Sequence, residues 1–261
     1  MLGGGAVAID TADFGSGPTV VLVHGSLTTG LRTWERQLPL AERWNLRVVA
    51  RRGYPPNPAS DFSDFEVDAA DVLHSFDGEA HLVGHSYGGL AVLLAAACAS
   101  SRVRSVTVVE TPLMALVRGA ESVESMIAGH HARLRDADNV RGFYASFLGV
   151  LGAPPERVPE TLDAETERLV RLLMNERPPW EVDIPIEPLR KSGVPVLVVT
   201  GGWDEVLESG ADALAAALGG TAHRHVLEGR GHVVQRLGEP FNQLVEDFFA
   251  RAAERPVDVP T

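Results

Sequence analysis

A serine flanked by glycines, between a strand and a helix, is the clearest chemical feature of the sequence. The pentapeptide Gly84-His85-Ser86-Tyr87-Gly88 follows the apolar run at residues 81–83 and precedes an alanine- and leucine-rich stretch that favours a helix. A Gly-x-Ser-x-Gly turn in this setting is a nucleophile elbow, which exposes the serine hydroxyl. Glycines are needed there because a Cβ atom would collide with neighbouring backbone. The pattern predicts that Ser86 is a catalytic nucleophile.

A serine hydroxyl needs a base within hydrogen-bond reach and a third group that orients the base. Of the nine histidines in the chain, we favour His232 as the base. It lies in a glycine-flanked loop after the last predicted strand, from which its ring can reach Ser86. His24, which follows an earlier strand, is the main alternative base, but we expect it to fix the loop that begins there.

Two carboxylates are candidates for the orienting acid. Asp204 lies three residues after Gly201, beyond the strand that precedes the last one, and Glu110 ends the strand that follows the elbow helix. Either loop can reach the far side of His232. We favour Asp204 by a small margin, and we expect the other carboxylate to form an ion pair or to cap a helix.

The negative charge that develops on a substrate oxygen during attack needs two backbone N–H donors, which form the oxyanion hole. Tyr87, the residue after the nucleophile, is predicted to supply one donor. The second is expected from the loop after His24-Gly25, at Ser26, with Leu27 as the alternative.

Buried strands alternate with helices along most of the chain, and this is typical of an α/β fold with a mostly parallel central sheet and helices on both faces. Strands are predicted at residues 6–10, 19–23, 46–50, 81–83, 105–109, 194–200 and 224–227, and helices at 34–44, 64–76, 87–99, 211–218 and 240–253. The candidate catalytic residues follow carboxyl ends of strands, where open α/β sheets bind their ligands.

Residues 113–190 lack buried strand patterns and are predicted to form a helical lid, whereas residues 1–112 and 191–261 form the core. The lid carries large apolar residues that either line a substrate pocket or form the lid's own core. We favour Trp180 as a pocket residue because Pro178-Pro179 fixes its position. The other candidate substrate contacts are His24, Met114, Phe143 and Phe147.

The net charge of −12 argues against nucleic-acid binding and mildly against anionic substrates. Cys98 is the only cysteine, so no disulfide forms within the chain. The sequence has no secretory signal pattern and no run of apolar residues long enough to span a membrane. We expect a cytoplasmic monomer or homodimer without a metal or cofactor.

Six stretches resemble the α/β-hydrolase superfamily and together extend over nearly the whole chain: VVLVHGS, VVARRGY, HLVGHSYGG, VVETP, VLVVTGGWDE and EGRGHVVQ. The resemblance implies the α/β-hydrolase fold with a helical lid between the sixth and seventh strands. It is strongest to bacterial hydrolases with Glu-x-Pro after the sixth strand, here Glu110-Thr111-Pro112, and Arg-Pro-Pro-Trp before the seventh. Such relatives often carry serine at the position of Asp204, which implies that the carboxylate matching Glu110 is the acid in them, whereas this chain keeps both carboxylates.

The resemblance also implies a function. It points to a serine hydrolase that cleaves an ester or lactone of a small, largely apolar molecule through a Ser-His-acid triad and an acyl-enzyme. Two alternatives remain open, since one fold hosts many chemistries. One is a biosynthetic enzyme that performs cyclisation, C–C cleavage or acyl transfer. The other is a non-catalytic ligand-binding relative.

Overall fold

The computed structural model describes residues 9–135 and 139–253. Its seven-stranded sheet has the order β1-β3-β2-β4-β5-β6-β7, and every neighbouring pair is parallel except β1 with β3. The strands are β1 (Thr11–Phe14), β2 (Thr19–Val23), β3 (Asn45–Val49), β4 (Ala80–His85), β5 (Val103–Val109), β6 (Val196–Thr200) and β7 (Ala222–Val226). The predicted α/β class and mostly parallel sheet are therefore confirmed.

Helices cover both faces of the sheet. They are α1 (Gly30–Trp34), α2 (Phe65–His74), α3 (Tyr87–Cys98), α4 (Glu121–Leu134), α5 (Val140–Val150), α6 (Ala164–Met174), α7 (Ile186–Ser192), α8 (Glu205–Leu218) and α9 (Glu239–Ala253). Successive residues of a strand point to opposite faces. Accordingly, Val21 and Val23 pack in the core beneath α2, α3, α7 and α8, whereas Val20 and Leu22 pack in the core beneath α1 and α9.

Three predicted elements differ from those observed. The helix expected at 34–44 is a 3₁₀ helix over Glu35–Glu42, and it contains Pro39, which has no N–H to donate. The strand expected at 6–10 lies partly outside the described residues, and the observed strand begins at Thr11. Helix α8 begins six residues earlier than expected, because the Asp204 side chain caps its N-terminus.

The helices α4, α5 and α6 form the insertion over the carboxyl edge of the sheet. They lie between β5 and β6 of the seven described strands. The lid was expected between the sixth and seventh strands in the numbering of the α/β-hydrolase fold, and that numbering differs from the one used for the described strands. Apolar residues of α5 and α6 pack together around Phe143, and α4 packs against Val206 of α8. Leu189 of α7 packs in the core beneath the sheet. The division into a core and a lid at residues 113–190 stays a prediction.

Candidate active site

The elbow at Ser86 is a sharp turn between β4 and α3. Ser86 has φ 52° and ψ −126°, a conformation that L-residues rarely adopt. A Cβ atom on Gly84 would lie 2.4 Å from the carbonyl oxygen of Gly88, and one on Gly88 would lie 2.5 Å from that of His24. Both positions therefore exclude any residue larger than glycine, which is the reason that the sequence motif has this spacing.

His232 lies against the Ser86 hydroxyl. The distance between His232 Nε2 and Ser86 Oγ is 3.0 Å, within hydrogen-bond range. His232 stands near the start of a 3₁₀ segment, Gly231–Leu237, whose backbone is held by a second histidine. His85 Nε2 donates to the carbonyl oxygen of His232 at 2.8 Å.

His85 has a positioning role that the sequence analysis missed. Its side chain is buried, and burial, helped by the neighbouring His232, lowers its pKa to about 3. The ring is therefore neutral at pH 7. A neutral ring with its proton on Nε2 can hold the His232 backbone without adding a positive charge beside the nucleophile. The position within the elbow pentapeptide was the only sequence signal.

Glu110 is the carboxylate that faces the far side of the His232 ring. Its Oε2 atom lies 3.3 Å from His232 Nδ1. The carboxylate is fully buried and accepts hydrogen bonds from the backbone N–H of Gly201 and from Trp203 Nε1, the latter at 2.8 Å. Glu110 itself has φ 51°, which turns its side chain from the end of β5 toward the next strand.

The preference for Asp204 at this position is corrected by the geometry. The Asp204 carboxylate accepts a hydrogen bond from the N–H of Leu207 at 2.9 Å and caps α8. Its oxygen is thus directed to a helix N-terminus, which is a favourable place for a negative charge. A helix cap was one of the two roles expected for the carboxylate that does not orient His232.

The described non-glycine residues with positive φ are Leu27, Ser86 and Glu110. All three lie in loops that meet at the same edge of the sheet. Each such conformation costs on the order of 1–3 kcal/mol and persists only where the surroundings hold it. Their concentration at one point indicates that this edge is shaped for function.

The expected oxyanion donors lie at the same place. Tyr87 is the first residue of α3, so its backbone N–H has no acceptor one turn earlier in the helix. Ser26 lines the same cavity as Ser86 and Tyr87. The side chain of Leu27 instead packs beside Tyr54 and Leu172, and Leu27 is not among the residues that line the cavity.

His24 fixes the loop rather than contacting a substrate, so its assignment as a substrate contact is corrected. Its Nδ1 lies 2.7 Å from the carbonyl oxygen of Gly25, and its Nε2 accepts the N–H of Arg51 at 3.0 Å. Because both ring nitrogens are engaged and the ring is fully buried, His24 stays neutral; burial lowers its pKa to about 3.

A cavity of about 110 Å³ lies above Ser86 beneath the inserted helices. Its apolar wall includes Met114, Met126, Phe147, Val150, Leu151 and Trp180. Three of the predicted contacts, Met114, Phe147 and Trp180, therefore line it. Phe143 does not: it is 3% exposed and packs with Val140, Val170 and Leu173 inside the lid, so its assignment as a substrate contact is corrected.

A buried ion network joins the lid to the loop of Ser26, and sequence reasoning did not identify it. The Arg51 guanidinium pairs with Asp68 at 2.7 Å and with Glu176 of the lid at 2.9 Å. The other oxygen of Glu176 accepts the Ser26 hydroxyl at 2.6 Å. Arg51 and Glu176 are 125 positions apart in sequence, and no local pattern links them.

Tyr87 provides a second connection between elbow and lid. Its hydroxyl donates to the carbonyl oxygen of Arg177 at 2.9 Å, and the Arg177 N–H donates to the carbonyl oxygen of Ser63. The segment after α6 is therefore fastened to the core at two points, Tyr87 and Ser63. Its anchoring places Trp180 over the site.

The described residues contain neither a cluster of metal ligands nor a membrane-spanning helix. Within residues 9–135 and 139–253, no three His, Cys, Asp or Glu side chains cluster as metal ligands would. In the same ranges, no helix has the length and apolar character needed to cross a bilayer.

Comparison with known proteins places these features in a family context. A family profile described as "Alpha/beta hydrolase family" matches residues 20–246. The pimeloyl-[acyl-carrier protein] methyl ester esterase of Methylococcus capsulatus is 32% identical over 189 residues, which are 70% of this chain and 68% of that protein.

Two more distant similarities concern other substrates. The 2-(acetamidomethylene)succinate hydrolase of Mesorhizobium japonicum is 24% identical over 146 residues, 54% of this chain; the aligned part spans about half (52%) of that enzyme. The solved structure of Est816, described as an N-acyl homoserine lactone degrading enzyme, superposes with a TM-score of 0.68 at 21% identity. That alignment covers 92% of this chain and 96% of Est816.

Proposed function

The chain belongs to the alpha/beta hydrolase family, and we propose that it is a serine hydrolase that cleaves an ester or lactone of a small, largely apolar molecule. Ser86 is the nucleophile, His232 the general base and Glu110 the orienting acid. The observation that carries the proposal is the continuous contact from Ser86 Oγ through the His232 ring to Glu110, at 3.0 Å and 3.3 Å, at the floor of an apolar cavity.

The first half of the reaction forms an acyl-enzyme. His232 Nε2 takes the proton of the Ser86 hydroxyl as the oxygen attacks the substrate carbonyl carbon. The Glu110 carboxylate faces Nδ1, so it favours the tautomer with Nε2 free and stabilises the imidazolium that forms. The N–H groups of Tyr87 and Ser26 stabilise the developing oxyanion, each by about 3 kcal/mol.

The first half ends when the tetrahedral intermediate collapses. Its bond to the leaving oxygen breaks and the imidazolium of His232 protonates that oxygen, which leaves Ser86 acylated. For a lactone, that oxygen stays attached to the acyl chain. In the second half, His232 takes a proton from a water molecule that attacks the acyl carbon, and Ser86 leaves with that proton.

The substrate class is proposed from the cavity and from the relatives. Met114, Phe147 and Trp180 give the cavity an apolar wall that suits a short acyl chain. Among the relatives, the Methylococcus capsulatus protein is named for a methyl ester and Est816 for a lactone, which supports carboxylic esters and lactones as the bonds to test.

A panel of esters, thioesters and lactones of increasing size tests the proposal. The wild-type chain should hydrolyse at least one class, and Ser86→Ala should remove nearly all turnover. Ser101→Ala, which removes an exposed hydroxyl, serves as the matched control and should behave as wild type. Turnover that persists in Ser86→Ala with an unchanged thermal midpoint would refute the assignment of the nucleophile.

A further inference from the structure

A positive charge without a counter-charge among the described residues lies in the same cavity as Ser86. Arg133, in the last turn of α4, lines the cavity, and its Nε atom is buried without a hydrogen-bond partner within residues 9–135 and 139–253. Its Nη1 atom lies beside Gly129: a Cβ atom added to Gly129 would be 3.3 Å from this nitrogen. Burial lowers the pKa of Arg133, because the charged form loses hydration there.

The other arginines near the cavity are compensated. Arg51 pairs with two carboxylates, Asp68 and Glu176, and Arg177 pairs with Asp64 and Glu66. Arg133 forms no ion pair with a carboxylate in the part of the chain that the structure describes. A partly buried guanidinium without a partner is costly, so a site that retains one is suited to an anionic ligand.

The carboxylates in the cavity are already engaged. Glu176 accepts hydrogen bonds from Ser26 through one oxygen and from Arg51 through the other. Asp204 caps α8. Neither acid is within ion-pair distance of Arg133, so no carboxylate within residues 9–135 and 139–253 occupies the guanidinium.

The side chain beside Arg133 does not cancel its effect. His130 also lines the cavity and packs edge-on against Trp180, with ring centroids 5.1 Å apart. Burial and the charge of Arg133 lower the pKa of His130 to about 4, so its ring is neutral at pH 7. The part of the cavity wall that α4 supplies thus combines one cation with a neutral ring that can donate or accept a hydrogen bond.

We infer that Arg133 binds a carboxylate of the substrate, so that the preferred substrate is an ester or lactone that carries a free carboxylate beyond an apolar chain. A guanidinium can hold both oxygens of a carboxylate through paired N–H donors. The inference rests on the proposed hydrolase function and deepens it. Although the net charge of −12 disfavours anionic ligands at long range, a single partly buried cation decides the preference inside the cavity.

Matched half-esters and diesters test the inference. The monomethyl and dimethyl esters of succinate, glutarate and adipate differ only in one carboxylate. At the best chain length, the wild-type chain should prefer the monomethyl ester. Arg133→Met should lower kcat/KM for that substrate about 10- to 100-fold, the loss expected for a charge-assisted hydrogen bond. The same variant should change kcat/KM for the dimethyl ester less than about threefold.

Two controls separate this role from a structural one. Arg135 is exposed and directly follows α4. Arg135→Met changes the net charge by the same amount as Arg133→Met and should leave the preference for the monomethyl ester unchanged. Arg133→Lys keeps the charge but not the paired donors and should restore part of the preference. Equal losses of kcat/KM on both esters in Arg133→Met would overturn the inference, as would a wild-type preference for the diesters.

A binding measurement keeps the inference separate from the proposed function. Adipate should bind to the Ser86→Ala variant in calorimetric titration, and the Ser86→Ala/Arg133→Met double variant should bind it at least tenfold more weakly. This result is independent of turnover, so an absence of ester hydrolysis would count only against the proposed function. If hydrolysis is found but Arg133→Met changes neither adipate binding nor substrate preference, the inference is wrong while the function stands.

Discussion

Replacing Glu110 by glutamine removes one charge from the site and tests which carboxylate orients the histidine. Both oxygens of Glu110 face N–H donors: Oε1 accepts from Gly201, and Oε2 accepts from Trp203 while lying 3.3 Å from His232 Nδ1. An amide has only one acceptor oxygen, so glutamine must turn its NH₂ group toward at least one of these donors.

The magnitude of the loss follows from those contacts. A buried donor left without an acceptor costs about 1–3 kcal/mol, so Glu110→Gln should lower the free energy of unfolding by about that amount. The catalytic loss should be far larger. Replacing the acid of a Ser-His-Asp triad by its amide lowers kcat by about 10⁴, which corresponds to roughly 5.5 kcal/mol of transition-state stabilisation. We expect a fall of 10³- to 10⁴-fold.

The assay compares kcat for one good ester across Glu110→Gln, Asp204→Asn and the wild type, with urea unfolding of each. Asparagine caps a helix as well as aspartate does, so Asp204→Asn should retain kcat within about threefold. In a His232→Ala background, Glu110→Gln should lower the rate little further, because the acid acts through the base. A larger loss in Asp204→Asn, or losses that multiply in the double variant, would refute the role of Glu110.

Three other predictions follow from the lid and the buried polar groups. Trp180→Ala should raise KM for bulky esters while hardly affecting an acetate ester, and a uniform loss on both would indicate a structural role instead. Glu176→Gln removes one of the two carboxylates that face the buried Arg51 and should lower the free energy of unfolding by roughly 3 kcal/mol in urea titrations; an unchanged stability would contradict a supporting role for this network. The pKa values of three buried histidines, His24, His81 and His85, are lowered to about 3. Below about pH 6.5 these residues bind protons in the unfolded chain but not in the folded chain, so the free energy of unfolding should fall as the pH is lowered from about 6.5. His81→Leu removes one such group and should flatten that fall by about 1.4 kcal/mol per pH unit, whereas an unchanged slope would mean that His81 is protonated in the folded state.

The sequence predicted the elements that depend on local patterns. A strand was predictable from the β-branched run at Thr19–Val23, because a strand buried on both faces favours such residues. The sharp turn was predictable from the glycines at the elbow, because a Cβ atom does not fit there. The positions of Ser86 and His232 at one edge of the sheet follow from those strands. For this reason, the pair could be identified before any geometry was known.

The choice between Glu110 and Asp204 could not be made in this way. Both follow carboxyl ends of strands, so topology brings both to the same edge. The decision depends on the backbone of Glu110, whose φ of 51° turns the side chain toward His232, and on the start of α8, where the Asp204 carboxylate is used as a cap. Neither the positive φ of Glu110 nor the start of α8 at Glu205 can be recognised from the local sequence.

The lid shows the same limit. Phe143 and Phe147 are one helical turn apart in α5, and the sequence pattern predicted the same role, contact with the substrate, for both. The packing of α5 on α6 buries Phe143 within the lid and leaves Phe147 in the cavity wall. The contact of Glu176 with Arg51 is a product of the same packing, because it joins residues that only the folded lid brings together.

Covalent labelling of the nucleophile tests the central claim most directly. A fluorophosphonate reacts only with an activated serine, so the wild-type chain should gain one label, which peptide mapping should place on Ser86. The label should be lost in Ser86→Ala and strongly slowed in His232→Ala, while Ser101→Ala should label as the wild type does. Labelling at another serine, or an undiminished rate in His232→Ala, would contradict the assignment of Ser86 as a nucleophile activated by His232.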